Sequence, residues 1–136
     1  MSSPKDNLLE MQKSKFIKVL IPQRSGYGYT ADAPIEVSSP VGQTNFIQNI
    51  IPSHEGITNV RLIDCARSGS FSSSIYDGII DEYELAFAYY KDGKPHAELF
   101  VIYFSFYPKK GEDYAQFLYR TTHNSPPCPE GLKRLN

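Results

Sequence analysis

The stretch from Ile79 to Tyr107, IIDEYELAFAYYKDGKPHAELFVIYFSFY, is the longest apolar and aromatic run of the chain, and one Asp92-Gly93 pair interrupts it. Both central positions of a two-residue type I′ turn need a positive φ, so Asp-Gly between two β-rich runs predicts a hairpin. A loop of that length also dictates the register. Lys91 then faces Lys94, Tyr89 faces His96, Phe87 faces Glu98, Leu85 faces Phe100 and Tyr83 faces Ile102, which makes one face large and mostly aromatic. The other face pairs Ala88 with Ala97, Ala86 with Leu99 and Glu84 with Val101. Its alanines leave room for another layer to approach closely.

A hairpin alone is marginal in water, so it must belong to a larger sheet packed against something else. The expected fold class is α+β: an antiparallel sheet of roughly five or six strands, a meander around the long hairpin, packed with one or two short helices. The 136 residues suit a single domain, 1-136. Residues 1-14 read as a short, frayed segment in which Ser3 caps a helix with Pro4 in its first turn. Residues 124-136, rich in Pro and Gly, read as an irregular tail.

Between these ends, KFIKVLI at 15-21 alternates as a strand. Ser39-Pro40 starts a helix through Phe46, Ile47, Ile50 and Ile51, with a strand over 45-51 as the competing reading. Residues 57-66 alternate as a strand. A second Asp-Gly pair, Asp77-Gly78, predicts a second hairpin that sets Ile75 opposite Ile80 and Phe71 opposite Glu84, while the serines before it fit an edge strand or a loop equally well. Residues 114-122 fit a short helix or a strand.

The formal net charge of −1 gives no overall field toward nucleic acid or an anionic membrane. No apolar run approaches the roughly 20 residues of a membrane span, and the start lacks the apolar centre of a signal peptide, so a cytoplasmic location is expected. Cys65 and Cys128 read as free thiols without the paired spacing of a zinc site. His54, His96 and His123 lie in separate segments, so no metal or other cofactor is expected. His54 beside Glu55 reads as exposed polarity in a turn, and Glu82 with Glu84 as a pair on a solvated strand edge. No residue is assigned a catalytic role.

Two groups of residues could bind something. Arg24, Tyr27 and Tyr29 stand in the Gly- and Pro-rich loop PQRSGYGYTADAP, where aromatic rings with an arginine make a stacking surface. Tyr83, Phe87, Tyr89, His96 and Glu98 share the aromatic face of the hairpin. Six acids between Asp77 and Glu98 could form a patch for a basic partner. The reading these features favour is a non-catalytic protein-binding module of inhibitor or immunity type. The alternative is a small-ligand-binding protein or modest enzyme with its pocket in the aromatic face, and a homodimer through an exposed sheet face is a third. Glu98 separates the first two: a pocket needs it desolvated or paired with a cation inside a cleft, whereas a protein interface leaves it on open surface.

Overall fold

The computed structural model describes residues 2-135. Its elements are α1 (Pro4–Met11), β1 (Lys18–Leu20), β2 (Ile35–Glu36), α2 (Pro40–Gln48), β3 (Ile50–Pro52), β4 (Ile57–Phe71), β5 (Ile80–Lys91), β6 (Lys94–Ser105), α3 (Tyr114–His123) and β7 (Leu132–Arg134). β5 and β6 form the expected hairpin in the expected register, from Lys91 opposite Lys94 to Tyr83 opposite Ile102. Asp92 and Gly93 both take positive φ, 53° and 73°, as the turn requires. The α+β class holds, but the sheet is mixed. β4 adds antiparallel to β5, while β1 and β2 both lie parallel to β6, alongside its two ends.

The two faces of the hairpin carry different layers, as their side chains dictate. On the small face α1 lies over Ala86, Ala97 and Leu99 with Leu8 fully buried among them. Burying one leucine stabilises by roughly 2 kcal/mol. The segment read as frayed is thus docked, and its start is held from both sides. Ser3 and Asp6 form a capping box, and the nearly buried Glu84 carboxylate accepts the Lys5 N–H at 2.9 Å, placing negative charge at the helix N-terminus.

On the large face Leu85, Phe87, Phe100, Ile102 and Phe104 meet Phe46 and Ile47 of α2, Ile50, Tyr29 and Leu132. Edge-to-face pairs lock this layer: Phe46 on Phe104, Tyr83 on Phe104 and Phe87 on Phe100, with centroids 5.8–5.9 Å apart. The competing readings of 45-51 each hold in part. Ser39 caps α2 and turns Gln43, Phe46 and Ile47 inward, after which Ile50 to Pro52 become β3. Residues 114-122 are helical, with Phe117 the buried anchor of α3. The tail is irregular only as far as residue 131. β7 then pairs with β3, and Leu135 N–H donates to the Asn49 carbonyl.

The second Asp-Gly pair does not make a hairpin. β4 runs on through Ser68 and Ser70 to Phe71, which pairs with Ile80 and not Glu84, and residues 72-79, including the other three serines, form the connection. That loop pairs instead with the turn after β6: Asp77 N–H donates to the Pro108 carbonyl and Lys110 N–H to the Ile75 carbonyl. Neither Asp77 nor Gly78 has the positive φ of a type I′ turn. Gly78 is needed for space, because a Cβ there would lie 2.2 Å from the Tyr107 ring. Gly78→Ala is expected to lower stability by about 1 kcal/mol, read by urea denaturation; no loss would mean that the ring moves aside freely.

β4 is an outer edge of the sheet. Three register shifts interrupt its pairing with β5, at 58/61, 62/64 and 67/69, and Arg61, Asp64 and Arg67 add charge to it, devices that discourage edge-to-edge association. Among the described residues no helix is long and apolar enough to cross a membrane.

Candidate functional site

Glu98 sits in the middle of β6, only 2 % exposed, and gathers the residues that the sequence scatters. Its Oε2 accepts from the Arg24 guanidinium, and its Oε1 accepts from the Tyr89 hydroxyl at 2.8 Å and lies 2.7 Å from His54 Nε2. A carboxylate only accepts, so the His54 proton facing it sits on Nε2. Arg24 also donates to the Leu99 carbonyl at 2.6 Å and stacks 3.7 Å above the centre of the Phe100 ring. Burial lowers the proton affinity of its guanidinium, while Glu98, Tyr29 and Tyr89 oppose that shift. Tyr89 in turn stacks on His96, with centroids 5.4 Å apart, and burial followed by the Glu98 hydrogen bond raises its phenol above the ordinary tyrosine range.

The chemistry available here is ionic fastening. Both Glu98 oxygens are engaged by side chains of the chain itself, and together they tie the 21-34 loop, the 53-56 turn and β5 to β6. Arg24, Tyr29, Tyr89, His96 and Glu98 are therefore brought together. Phe87 lies in the core against Phe100, Tyr83 packs on Phe104, and Tyr27 reaches away to donate to the Pro127 carbonyl at 2.9 Å. Tyr29 likewise donates to the Glu130 carbonyl, so the two loop tyrosines clamp the C-terminal segment and do not form an open stacking surface. Burial pushes the Tyr29 phenol up to about 12. Glycine at position 28 lets the loop pass this close, since its φ is +85° and a Cβ there would lie 2.4 Å from Pro129.

His54, read from sequence as exposed polarity, is a member of this cluster. Its only sequence signal is position: it follows Pro52, whose strand runs beside β7. A second fastening was also hidden. Arg120 of α3 bridges Glu36 of β2 and Glu112, and the Tyr76 hydroxyl donates to Glu36 at 2.7 Å.

The acids expected to form a patch are mostly committed in the same way. Glu98 holds Arg24, Glu84 holds the Lys5 amide, Glu82 accepts from Tyr103 and from Ser68 at 2.7 Å, and Asp81 accepts from Ser70 with Arg67 nearby. Of the six, only Asp77 and Asp92 accept no hydrogen bond through their carboxylates among the described residues. Among those residues, too, no group of three His, Cys, Asp or Glu side chains could hold a metal ion, and Cys65 and Cys128 are unbridged.

An open apolar site lies on the opposite face of the sheet. Where α1 ends, Ala88 is left uncovered and floors a cleft of about 340 Å³ walled by Met11, Ile17, Arg61, Ile63, Tyr90 and Pro95. Ile63 and Tyr90 on its walls are 42 % and 43 % exposed, and Phe16, next in the chain to Ile17, is 81 % exposed. The signal for it in the sequence is the set of alanines at 86, 88 and 97, of which α1, with only eight residues, covers Ala86 and Ala97 and leaves Ala88 to the cleft. A larger and more polar groove of about 460 Å³ lies between α2 and the segment after α3, lined among others by Asn45, Asn49, Thr122, Asn124 and Arg134.

Comparisons of the chain with family models, with curated proteins and with solved structures return no match.

Proposed function

We propose that the chain is a non-catalytic protein-binding module of the inhibitor or immunity type, and that it binds through the surface around the Ala88 cleft. One observation carries this reading: an apolar cleft has the half-exposed Tyr90 and Ile63 in its walls, and the chain that supplies Ile17 to it carries the 81 % exposed Phe16 one residue earlier. Aromatic side chains grouped around a concavity are the usual anchors of protein interfaces. Glu98 is desolvated and paired with a cation, the condition set for a pocket, but Arg24, Tyr89 and His54 take both of its oxygens, so it offers a ligand nothing; Glu84 and Glu82 are likewise committed to internal contacts.

The test compares the tagged protein with a Phe16→Ser, Tyr90→Ser variant in lysate of the source organism, with the size of each eluted complex measured by light scattering. The wild type is expected to hold a protein at fixed stoichiometry. The variant is expected to bind that same protein at least tenfold more weakly, since losing one interface anchor costs about 2 kcal/mol, with unchanged thermal unfolding. Equal binding by the variant, or recovery of the wild type alone, would remove the reading.

A small-ligand reading rests on a different place from the one the sequence suggested, because the aromatic face is filled by α2, Tyr29 and Leu132. The amide- and hydroxyl-lined groove beside α2 is the cavity that fits it.

A further inference from the structure

We infer that the outer edge of β6 at Val101 is a binding site for a small molecule bearing a primary carboxamide or a lactam, whose adjacent carbonyl and N–H complete a break in the sheet. The site shares no lining residue with the Ala88 cleft or with the groove beside α2, and it does not depend on the protein-binding reading.

The break follows from the residues along that edge. β1 pairs with β6 only as far as Leu20 opposite Glu98, and β2 resumes the pairing at Ile35 opposite Phe104. Between them the Leu99 carbonyl accepts from Arg24 at 2.6 Å and Tyr103 N–H donates to the Gly28 carbonyl at 2.9 Å, so both residues turn their backbone groups outward. The register with β5 runs unbroken from one to the other, and alternation therefore turns Val101 outward as well. Continued along the strands, the parallel pairing would bring the N–H of residue 22 to the Leu99 carbonyl. Residue 22 is proline and has no N–H, so the ladder stops there and the Arg24 guanidinium takes the carbonyl instead. Val101 is left with an N–H and a C=O that meet no partner among the described residues.

A strand residue presents those two groups side by side, and an amide with its carbonyl beside its N–H answers both. The cavity at the break holds about 390 Å³, a volume suited to a small ligand, and Ile21, Pro22, Gln23 and Tyr103 stand in its walls. A strand from a peptide or a second copy would also need the Leu99 carbonyl and the Tyr103 N–H, which are taken, so the opening admits one amide and not a ladder. Arg24 lines the cavity with its charge balanced by Glu98, and a carboxylate would set oxygen against the Val101 carbonyl. The exposed Lys5 is the other cation on the wall, which makes an acid analogue a necessary control.

The experiment titrates the nitrogen-15-labelled full chain with benzamide, with N,N-dimethylbenzamide, which lacks the donor, and with benzoate, which lacks the donor and carries charge. Without ligand, the Val101 amide hydrogen is expected to exchange with solvent roughly a hundredfold faster than those of Phe100 and Ile102, whose places in the ladder bond them to β5. Benzamide is expected to shift the Val101 amide resonance, to slow its exchange, and to bind roughly fivefold more tightly than either control, the scale of one hydrogen bond.

A free Val101 amide as protected as Phe100 would remove the break itself. Binding of N,N-dimethylbenzamide or benzoate as tight as that of benzamide, shifts that spare residues 99-103, or no binding of benzamide at millimolar concentration would each overturn the inference.

Discussion

Replacing Arg24 with methionine is expected to lower folding stability by about 3 kcal/mol, the scale on which breaking a buried ion pair leaves its partner uncompensated. The Glu98 side chain is 3 % exposed and that of Arg24 16 %, so water cannot replace the guanidinium without opening the loop. Methionine keeps much of the stem volume but removes three contacts at once: the charge on Glu98, the bond to the Leu99 carbonyl and the stacking on Phe100. Tyr89 and His54 would still bond Glu98, but a neutral phenol and an imidazole do not balance a carboxylate as a permanent cation does.

A double-mutant cycle isolates the pair. Glu98→Gln in the Arg24→Met background removes the orphaned charge while keeping an oxygen for Tyr89, so the double variant is expected to be more stable than Arg24→Met alone. Urea denaturation of the four proteins measures this. A loss below about 1 kcal/mol for Arg24→Met would place the pair in the class of exposed ion pairs and show that the loop is held by other contacts.

The second large effect is expected in alkali. Burial is the leading cause that raises the phenols of Tyr27, Tyr29, Tyr76, Tyr83, Tyr89 and Tyr103, with Tyr29 and Tyr103 pushed up to about 12. Hydrogen bonds to Glu36, Glu98 and Glu82 add to the shift at Tyr76, Tyr89 and Tyr103. In the unfolded chain a tyrosine ionises near pH 10, so between that value and about 12 the unfolded state binds fewer protons than the folded one. The stabilisation is complete below pH 10 and is lost as pH rises through the folded values.

Each hidden phenol contributes about 1.4 kcal/mol per pH unit to that loss. Tyr29, Tyr76 and Tyr89 are 7 %, 4 % and 2 % exposed, and together they make the dependence steep, roughly 4 kcal/mol per unit. Phenolate absorbance of the six tyrosines is therefore expected to appear together with the loss of far-ultraviolet circular dichroism. Their gradual ionisation near pH 10 in a protein that keeps its dichroism would contradict their burial.

What could be read in advance follows the range of the interaction concerned. The hairpin register depends on two residues of turn chemistry and a period of two, and every predicted pair from Lys91–Lys94 to Tyr83–Ile102 is found. The start of α1 depends on Ser3, Pro4 and Asp6, all within one turn. Asp77-Gly78 has the same local chemistry as Asp92-Gly93 and yet forms no hairpin. Its backbone groups bond to Pro108 and Lys110, and the ring of Tyr107 occupies the space beside Gly78. Identical turn signals diverge because tertiary partners decide which backbone bonds are made.

The candidate sites divide in the same way. Tyr89, His96 and Glu98 share a face because the register places them there, and Arg24 joins them across 74 residues of sequence. His54 carries no pattern that would join it to Glu98, since a single residue in a turn is positioned only by what its flanking strands pair with. The parallel direction of β1 and β2, and the return of the tail as β7, are likewise invisible to periodicity, which reports which residues share a face and not which way a distant strand runs.

The sequence by itself determined the hairpin, the contrast between its aromatic and alanine faces, and the capped helix at the start, because turn geometry, side-chain alternation and capping act over a few residues. Only the tertiary structure decided that the aromatic face is closed by the chain's own loops and that Glu98 fastens them, because ionic contacts and burial depend on which distant segments meet. It decided as well that α1 stops short of Ala88 and leaves an apolar cleft there, since the length of a covering helix has to be measured against the sheet it covers.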